Sequence, residues 1–277
     1  SSTYSRNTEI ESMSWKKKVV RIFGLITLLA CVTGLVLLTS FNAKKQDDVV
    51  CKNVDISVDQ ESGMFFLDNE DVKSILLHQF GDSVKGDQLK KIDVGRIEKV
   101  LENDPYVHDA ETWLDANGDL HIKIVQKQPI ARVINKYGVN YYINENANKI
   151  PISSKFTTRV PVVTGNIQEG TYNSNMIETP VLKNVLTITR FIHNNTFWNA
   201  QIEQVSVADN GSFVLIPKLG DHKIEFGGID NMEEKFHKLE IFYAEGLSYT
   251  GWDKYETIKL DYKGQIVCEK KINYEQE

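Results

Sequence analysis

The chain has 277 residues, with 38 acidic against 32 basic side chains and a formal charge of −6. A net-acidic surface has the wrong sign for holding a phosphate backbone, which sets nucleic acid aside as a partner. Its three cysteines, Cys31, Cys51 and Cys268, have neither Cys-x-x-Cys nor zinc-ligand spacing, so neither a redox pair nor a structural zinc is expected. In chain order, the first feature is the apolar run from Val19 to Phe41, uncharged between Ile22 and Ala43. A bilayer core is crossed by roughly 20 helical residues, so this run is long enough for a single transmembrane helix. Lys16, Lys17, Lys18 and Arg21 precede it, whereas Lys44 and Lys45 are trailed by Asp47 and Asp48. That bias places the tail, residues 1–18, in the cytoplasm and the rest outside. A cleaved signal peptide is the rival reading, but Phe41-Asn42-Ala43 puts Phe where a small residue belongs. With Cys31 inside the span, Cys51 to Cys268 is the one disulfide open to the outer part.

After a polar connection at 44–50, Val54, Ile56 and Val58 alternate with Asp55 and Ser57, which predicts a half-buried strand. Asp68 or Asn69 caps a helix carrying Val72, Ile75, Leu76 and Phe80, and Gly81 stops it. Asp93 caps a second helix with Ile97, Val100 and Leu101 on one face, ended before Pro105. Strands at Val107–Leu114 and Leu120–Gln126 flank Asp115-Ala116-Asn117-Gly118, a strong hairpin signal. The order is strand, helix, helix, strand, strand.

A second unit follows. Asn140–Ile143 and Lys149–Ile152 flank a turn-rich stretch, and Arg159–Gly165 is extended. Thr179 caps a helix with Pro180 at its first position and Val181, Leu182, Val185, Thr189 and Ile192 as its apolar stripe. Strands are predicted at Ile202–Val207, Ser212–Pro217 and His222–Phe226. Met232, Phe236, Leu239 and Tyr243 line another helix, with Gly246 as its expected stop. Thr257–Tyr262 and Gln265–Glu269 read as a terminal hairpin around Lys263-Gly264, its last strand at a sheet edge.

Ile92-Asp93, Ile97, Leu101, then Asn103-Asp104-Pro105-Tyr106-Val107 and Ala110, and the closing Ile124–Ala131, resemble a POTRA domain, more closely that of the bacterial FtsQ/DivIB cell-division family. Gln126 or Gln128 stands where that family carries an acidic residue. Arg159–Gly165 is similar to the family's Leu-Pro-x-Leu-x-Gly segment, and Phe226-Gly227-Gly228 to its glycine-then-helix segment. The resemblance implies an α+β fold: the span at 19–41, a POTRA domain at 51–127 and a mostly antiparallel β domain with two helices at 128–271. It implies a non-catalytic divisome scaffold that links early and late division proteins and helps control septal peptidoglycan synthesis. Its expected place is the inner membrane at the septum, crossed once, with the two domains in the periplasm. The implied partners are FtsB- and FtsL-like bitopic proteins and, through them, the septal peptidoglycan synthase. The FtsB-like partner would add a strand at Tyr262, Lys263, Gly264, Gln265, Ile266 and Val267.

Catalytic signatures are sparse. The six histidines show no metalloprotease spacing, and neither a Gly-x-Ser-x-Gly elbow nor a phosphate loop is present. No catalytic residue, metal ligand or cofactor is assigned. Asp115–Asp119 reads as a turn before it reads as a calcium loop, and Trp113, Trp198, Phe213 and Trp252 as core before groove. Two other classes stay open: an envelope hydrolase with an unrecognised site, and a POTRA-bearing outer-membrane assembly subunit.

Overall fold

The computed structural model describes residues 26–35, 49–60, 63–81, 84–172 and 174–271, arranged as two sheets with helices packed on each. Residues 26–35 form helix α1, whose Ile26, Leu28, Leu29, Val32 and Leu35 are all exposed. The rest of the expected span lies outside the described residues, among which no helix is long and apolar enough to cross a membrane. Lys16, Lys17, Lys18 and Arg21 also lie outside them.

The first unit runs β1 (Val54–Val58), α2 (Asn69–Phe80), α3 (Val94–Glu102), β2 (Val107–Leu114) and β3 (Leu120–Gln126). The sheet order is β1-β3-β2, with β1 parallel and β2 antiparallel to β3. Local chemistry sets the boundaries. Asp68 and Asp71 form a reciprocal capping box on α2, and Asp93 accepts from Arg96 N at 3.0 Å to start α3. In the β2–β3 turn the Asp115 carboxylate accepts from Asn117 N and Asp119 N, both at 2.9 Å, so this loop uses its acid internally. Val72, Leu76, Ile97 and Leu101 from the helices bury against Leu120, Ile122 and Ile124.

The second unit holds a nine-stranded sheet of order β12-β11-β10-β9-β8-β7-β4-β5-β6. Its strands are β4 (Pro129–Ile134), β5 (Asn140–Asn144), β6 (Lys149–Pro151), β7 (Val162–Gly165), β8 (Ile202–Val207), β9 (Phe213–Pro217), β10 (Lys223–Gly227), β11 (Tyr255–Lys259) and β12 (Val267–Lys270). Helices α4 (Pro180–Asn194) and α5 (Thr196–Gln201) carry the chain from β7 to its parallel neighbour β8. Helix α6 (Met232–Ile241) does the same from β10 to β11, as parallel neighbours require a crossover. Phe191 of α4 stacks on Phe236 of α6 at 4.4 Å, so both helices cover one face of the sheet. Trp198 and Phe213 are core residues at 1% exposure each, whereas Trp113 is 46% exposed.

Three expectations need correction. Pro129–Ala131 reads in the sequence as the close of the first unit, yet β4 sits between β5 and β7 inside the large sheet. The α6 helix does not stop at Gly246. It passes through a π-helical turn, Phe242–Leu247, into α7 (Ser248–Thr250) and ends at Gly251, whose φ of 88° and ψ of 147° form an extended, glycine-favouring break. The terminal strands are shorter than predicted, ending at Lys259 and resuming at Val267. Cys51 and Cys268 are free thiols.

The units meet at an aromatic cluster. Phe66 stacks on Tyr106 at 5.2 Å and meets Phe156 edge-on at 5.1 Å, with Tyr142 and Ile150 buried beside them. Gln126, 1% exposed, ties the loop before α2 to the end of β3. Its Oε1 accepts from Leu67 N at 2.9 Å, and its Nε2 donates to Asp59 O and Met64 O at 3.0 and 2.8 Å.

Candidate partner-binding edge

The two ends of the large sheet differ. At the β6 end the backbone is covered: Lys149 N donates to Asn175 O at 2.6 Å, Ile177 N donates to Ala147 O at 2.9 Å, and Pro151 supplies no donor. Beneath this cover, Lys149 and Glu169 make a buried ion pair at 2.7 Å. Burial alone would push the Glu169 carboxyl up, but Lys149 and the donors of Thr179 and Glu178 hold it below its ordinary value. Such covering is how a sheet edge is kept from pairing with another chain.

The β12 end is built differently. Leu260 N donates to Glu225 O at 3.0 Å, carrying the chain past β11 along β10. Asp261 then lies over Gly227, where any Cβ would fall 1.7 Å from its carboxylate, and beside Lys235 Nζ at 3.4 Å. Buried Lys235 also donates to Phe226 O and Gly228 O, so β10, α6 and this corner are fastened together. Lys238 Nζ donates to Tyr262 O at 3.2 Å, and the turn closes at Gly264 with φ 70°.

Strand β12 leaves that turn antiparallel to β11, with Cys268 opposite Ile258 and Val267 opposite Lys259. Lys271 N donates to Lys254 O at 3.1 Å. By the two-residue period of a strand, the N–H groups of Glu269 and Val267 also face β11, and those of Cys268 and Lys270 face outward. The side chains alternate too. Ile266 and Cys268 pack on the core, and burial pushes the Cys268 thiol up. On the other face Glu269 pairs with Lys259 at 2.7 Å, which lowers the carboxyl and raises the ammonium.

Of the six edge residues expected from sequence, only Val267 belongs to β12. Tyr262, Lys263, Gly264, Gln265 and Ile266 form the turn that leads into it, with Tyr262 46% exposed. Beside the turn lies a cavity of about 380 Å³ floored by Ile241, Phe242 and Ile266, with Lys238 and Glu245 at its rim. Gly246 keeps it open: a Cβ there would stand 2.7 Å from the Phe242 ring. Sequence reasoning missed this hollow because Ile241 and Phe242 come from a helix twenty residues upstream. The exposure of Ile241 at the polar end of α6 is its one local signal. Among the described residues no His, Cys, Asp or Glu cluster could hold a metal ion.

These features define an α+β protein with a small β-α-α-β-β unit and a large sheet that, among the described residues, is uncovered at one edge. A family model described as POTRA-like domain matches residues 49–125, and one described as FtsQ/DivIB, C-terminal related, matches residues 128–269. The second spans more than half of the chain, which therefore belongs to the FtsQ/DivIB family. Membership points to a membrane-associated role in cell division, among other division proteins. No curated protein matches the chain.

Proposed function

We propose that the chain is a non-catalytic scaffold of the division septum that receives a strand of an FtsB-like partner on β12. An FtsL-like protein joins through that partner, and through both the septal peptidoglycan synthase is reached. In this reading residues 1–18 are cytoplasmic and residues 19–41 cross the inner membrane. The POTRA domain (51–127) and the β domain (128–271) stand in the periplasm and bridge early and late division proteins. The observation that carries it is the contrast between the sheet's two ends. One edge is covered by backbone bonds and a proline. The other presents the outward N–H groups of Cys268 and Lys270 beside an apolar hollow, as strand addition requires.

The test follows the parity of those amides. Proline at Lys270 removes an outward donor from an exposed position and leaves the bonds to β11 intact. Proline at Val267 instead breaks the sheet's own ladder. With the partner's periplasmic segment as ligand for the full-length protein in detergent, Lys270→Pro is expected to weaken binding by at least about tenfold. Hydrogen exchange at Cys268 and Lys270 should slow on binding. Undiminished affinity of folded Lys270→Pro, with no protection at these amides, ends this reading.

A further inference from the structure

We propose that the outer face of the small sheet is a second docking surface, a tryptophan set among carboxylates that takes an arginine side chain of another protein. It uses side chains in the middle of a face and no strand edge, and it does not depend on the β12 reading. Helices α2 and α3 bury the inner face of the sheet at Leu120, Ile122 and Ile124. By the two-residue period of a strand, Asp55, Asp109, Glu111, Trp113, His121 and Lys123 stand on the outer face. All are exposed apart from half-buried His121.

One residue from each strand builds the centre of this face. Trp113 of β2 is opposite His121 of β3, and His121 is opposite Asp55 of β1. The two rings stack at 5.2 Å with 13° between their planes. His121 is itself held from two sides, its Nδ1 3.3 Å from Asp55 Oδ2 and its Nε2 3.5 Å from Asp115 Oδ2. The imidazole thus takes one face of the indole and fixes its tilt, and the other face is left to solvent, at 46% exposure. A tryptophan already held in place loses little rotamer freedom when a partner covers it, which suits it to anchor an interface.

Charge selects the occupant. Asp55, Asp109, Glu111 and Asp115 lie on or beside this face, against Lys123. An indole face amid carboxylates attracts a cation and repels an anion. Asp115 is engaged in its own turn and Asp55 with His121. Glu111 makes no ion pair among the described residues and stands two residues from Trp113 on the same face of β2, about 7 Å along the strand. A guanidinium is flat, so it can lie on the indole and turn its N–H edge to that carboxylate at once; an ammonium is a point charge without that fork. Lys123, opposite Glu111, works against the incoming cation.

The probe is a short fluorescent Arg-Pro repeat peptide, whose prolines deny it the run of N–H donors that strand pairing needs. It is titrated by anisotropy into the full-length protein in detergent. Binding is expected, weakened about tenfold by Trp113→Ala and about threefold by Glu111→Gln. Trp113→Phe, which keeps a ring, should retain part of the affinity, and Lys123→Gln should raise it. A citrulline-Pro peptide, similar in shape but uncharged, should not bind, and a Lys-Pro peptide should bind more weakly than the arginine one. No binding of the Arg-Pro peptide, equal affinity of the citrulline or lysine peptide, or undiminished binding to Trp113→Ala would overturn the proposal. So would displacement of the peptide by a chito-oligosaccharide, which would give the indole to a sugar.

Discussion

Gln126 shows how one side chain decides a junction. The resemblance puts the family's one acidic residue at Gln126 or Gln128, and Gln126 is the buried one, with three hydrogen bonds. Gln126→Leu keeps the volume and strands a buried N–H and two carbonyls, a loss of roughly 2–4 kcal/mol measurable by urea unfolding. Gln126→Glu keeps the bond from Leu67 N but turns a carboxylate toward two carbonyl oxygens, and should also destabilise. His222 is a second buried case. Its Nε2 lies 2.8 Å from the Tyr243 hydroxyl, its Nδ1 has no well-aligned hydrogen-bond partner among the described residues, and burial holds the imidazole below its ordinary value, with Lys271 acting the same way and the Trp252 backbone, Asp221 and Asp253 opposing. A depressed imidazole contributes stability above its unfolded value of about 6.5 and loses it as the pH falls below that. Between about pH 7.5 and 5.5, the wild-type melting temperature should therefore drop more than that of His222→Gln. Equal slopes would remove His222 from the account.

Among the elements, the π-helical turn is the one whose shape the proposed docking hollow needs. Gly246→Ala sets a methyl against the Phe242 ring, and overpacking of this kind costs about 1–3 kcal/mol. Partner affinity should fall with it, because Phe242 floors the hollow; an Ala variant with unchanged stability and affinity would mean the ring has another place to go. This element also marks where the sequence stopped being readable. Strands β1, β2 and β3 and helices α2, α3 and α4 were legible because period, caps and turn residues are local. Strand β4 was not, since Pro129-Ile130-Ala131 reads as an exit and only pairing with β5 and β7 makes it a strand. The last hairpin had the correct order and turn but the wrong strand bounds. Leu260 is captured by Glu225 and Asp261 by Gly227 and Lys235, contacts more than twenty residues apart in sequence that shorten β11 and delay β12. The edge was legible from its position in the chain, its covered counterpart at β6 was not.

At the scale of the molecule, the two units share the cluster around Phe66. Phe66→Ala removes a ring that stacks on Tyr106 and meets Phe156, a loss of about 3–5 kcal/mol. Calorimetry should then show the first unit melting ahead of the second. One unchanged transition would mean the junction contributes little. For the chain's proposed orientation, protease added outside the inner membrane should digest both units and spare a tag at Ser1. Loss of that tag from the mature protein would favour a cleaved signal. The aromatic junction lies at the β5–β6 end of the sheet, and β12 closes the other end. Neighbouring strands are about 4.8 Å apart, so β12 stands about 38 Å across the sheet from β6. In the proposed reading the sheet is thus a spacer: a strand held on its far margin stands clear of the aromatic junction and of the first unit beyond it.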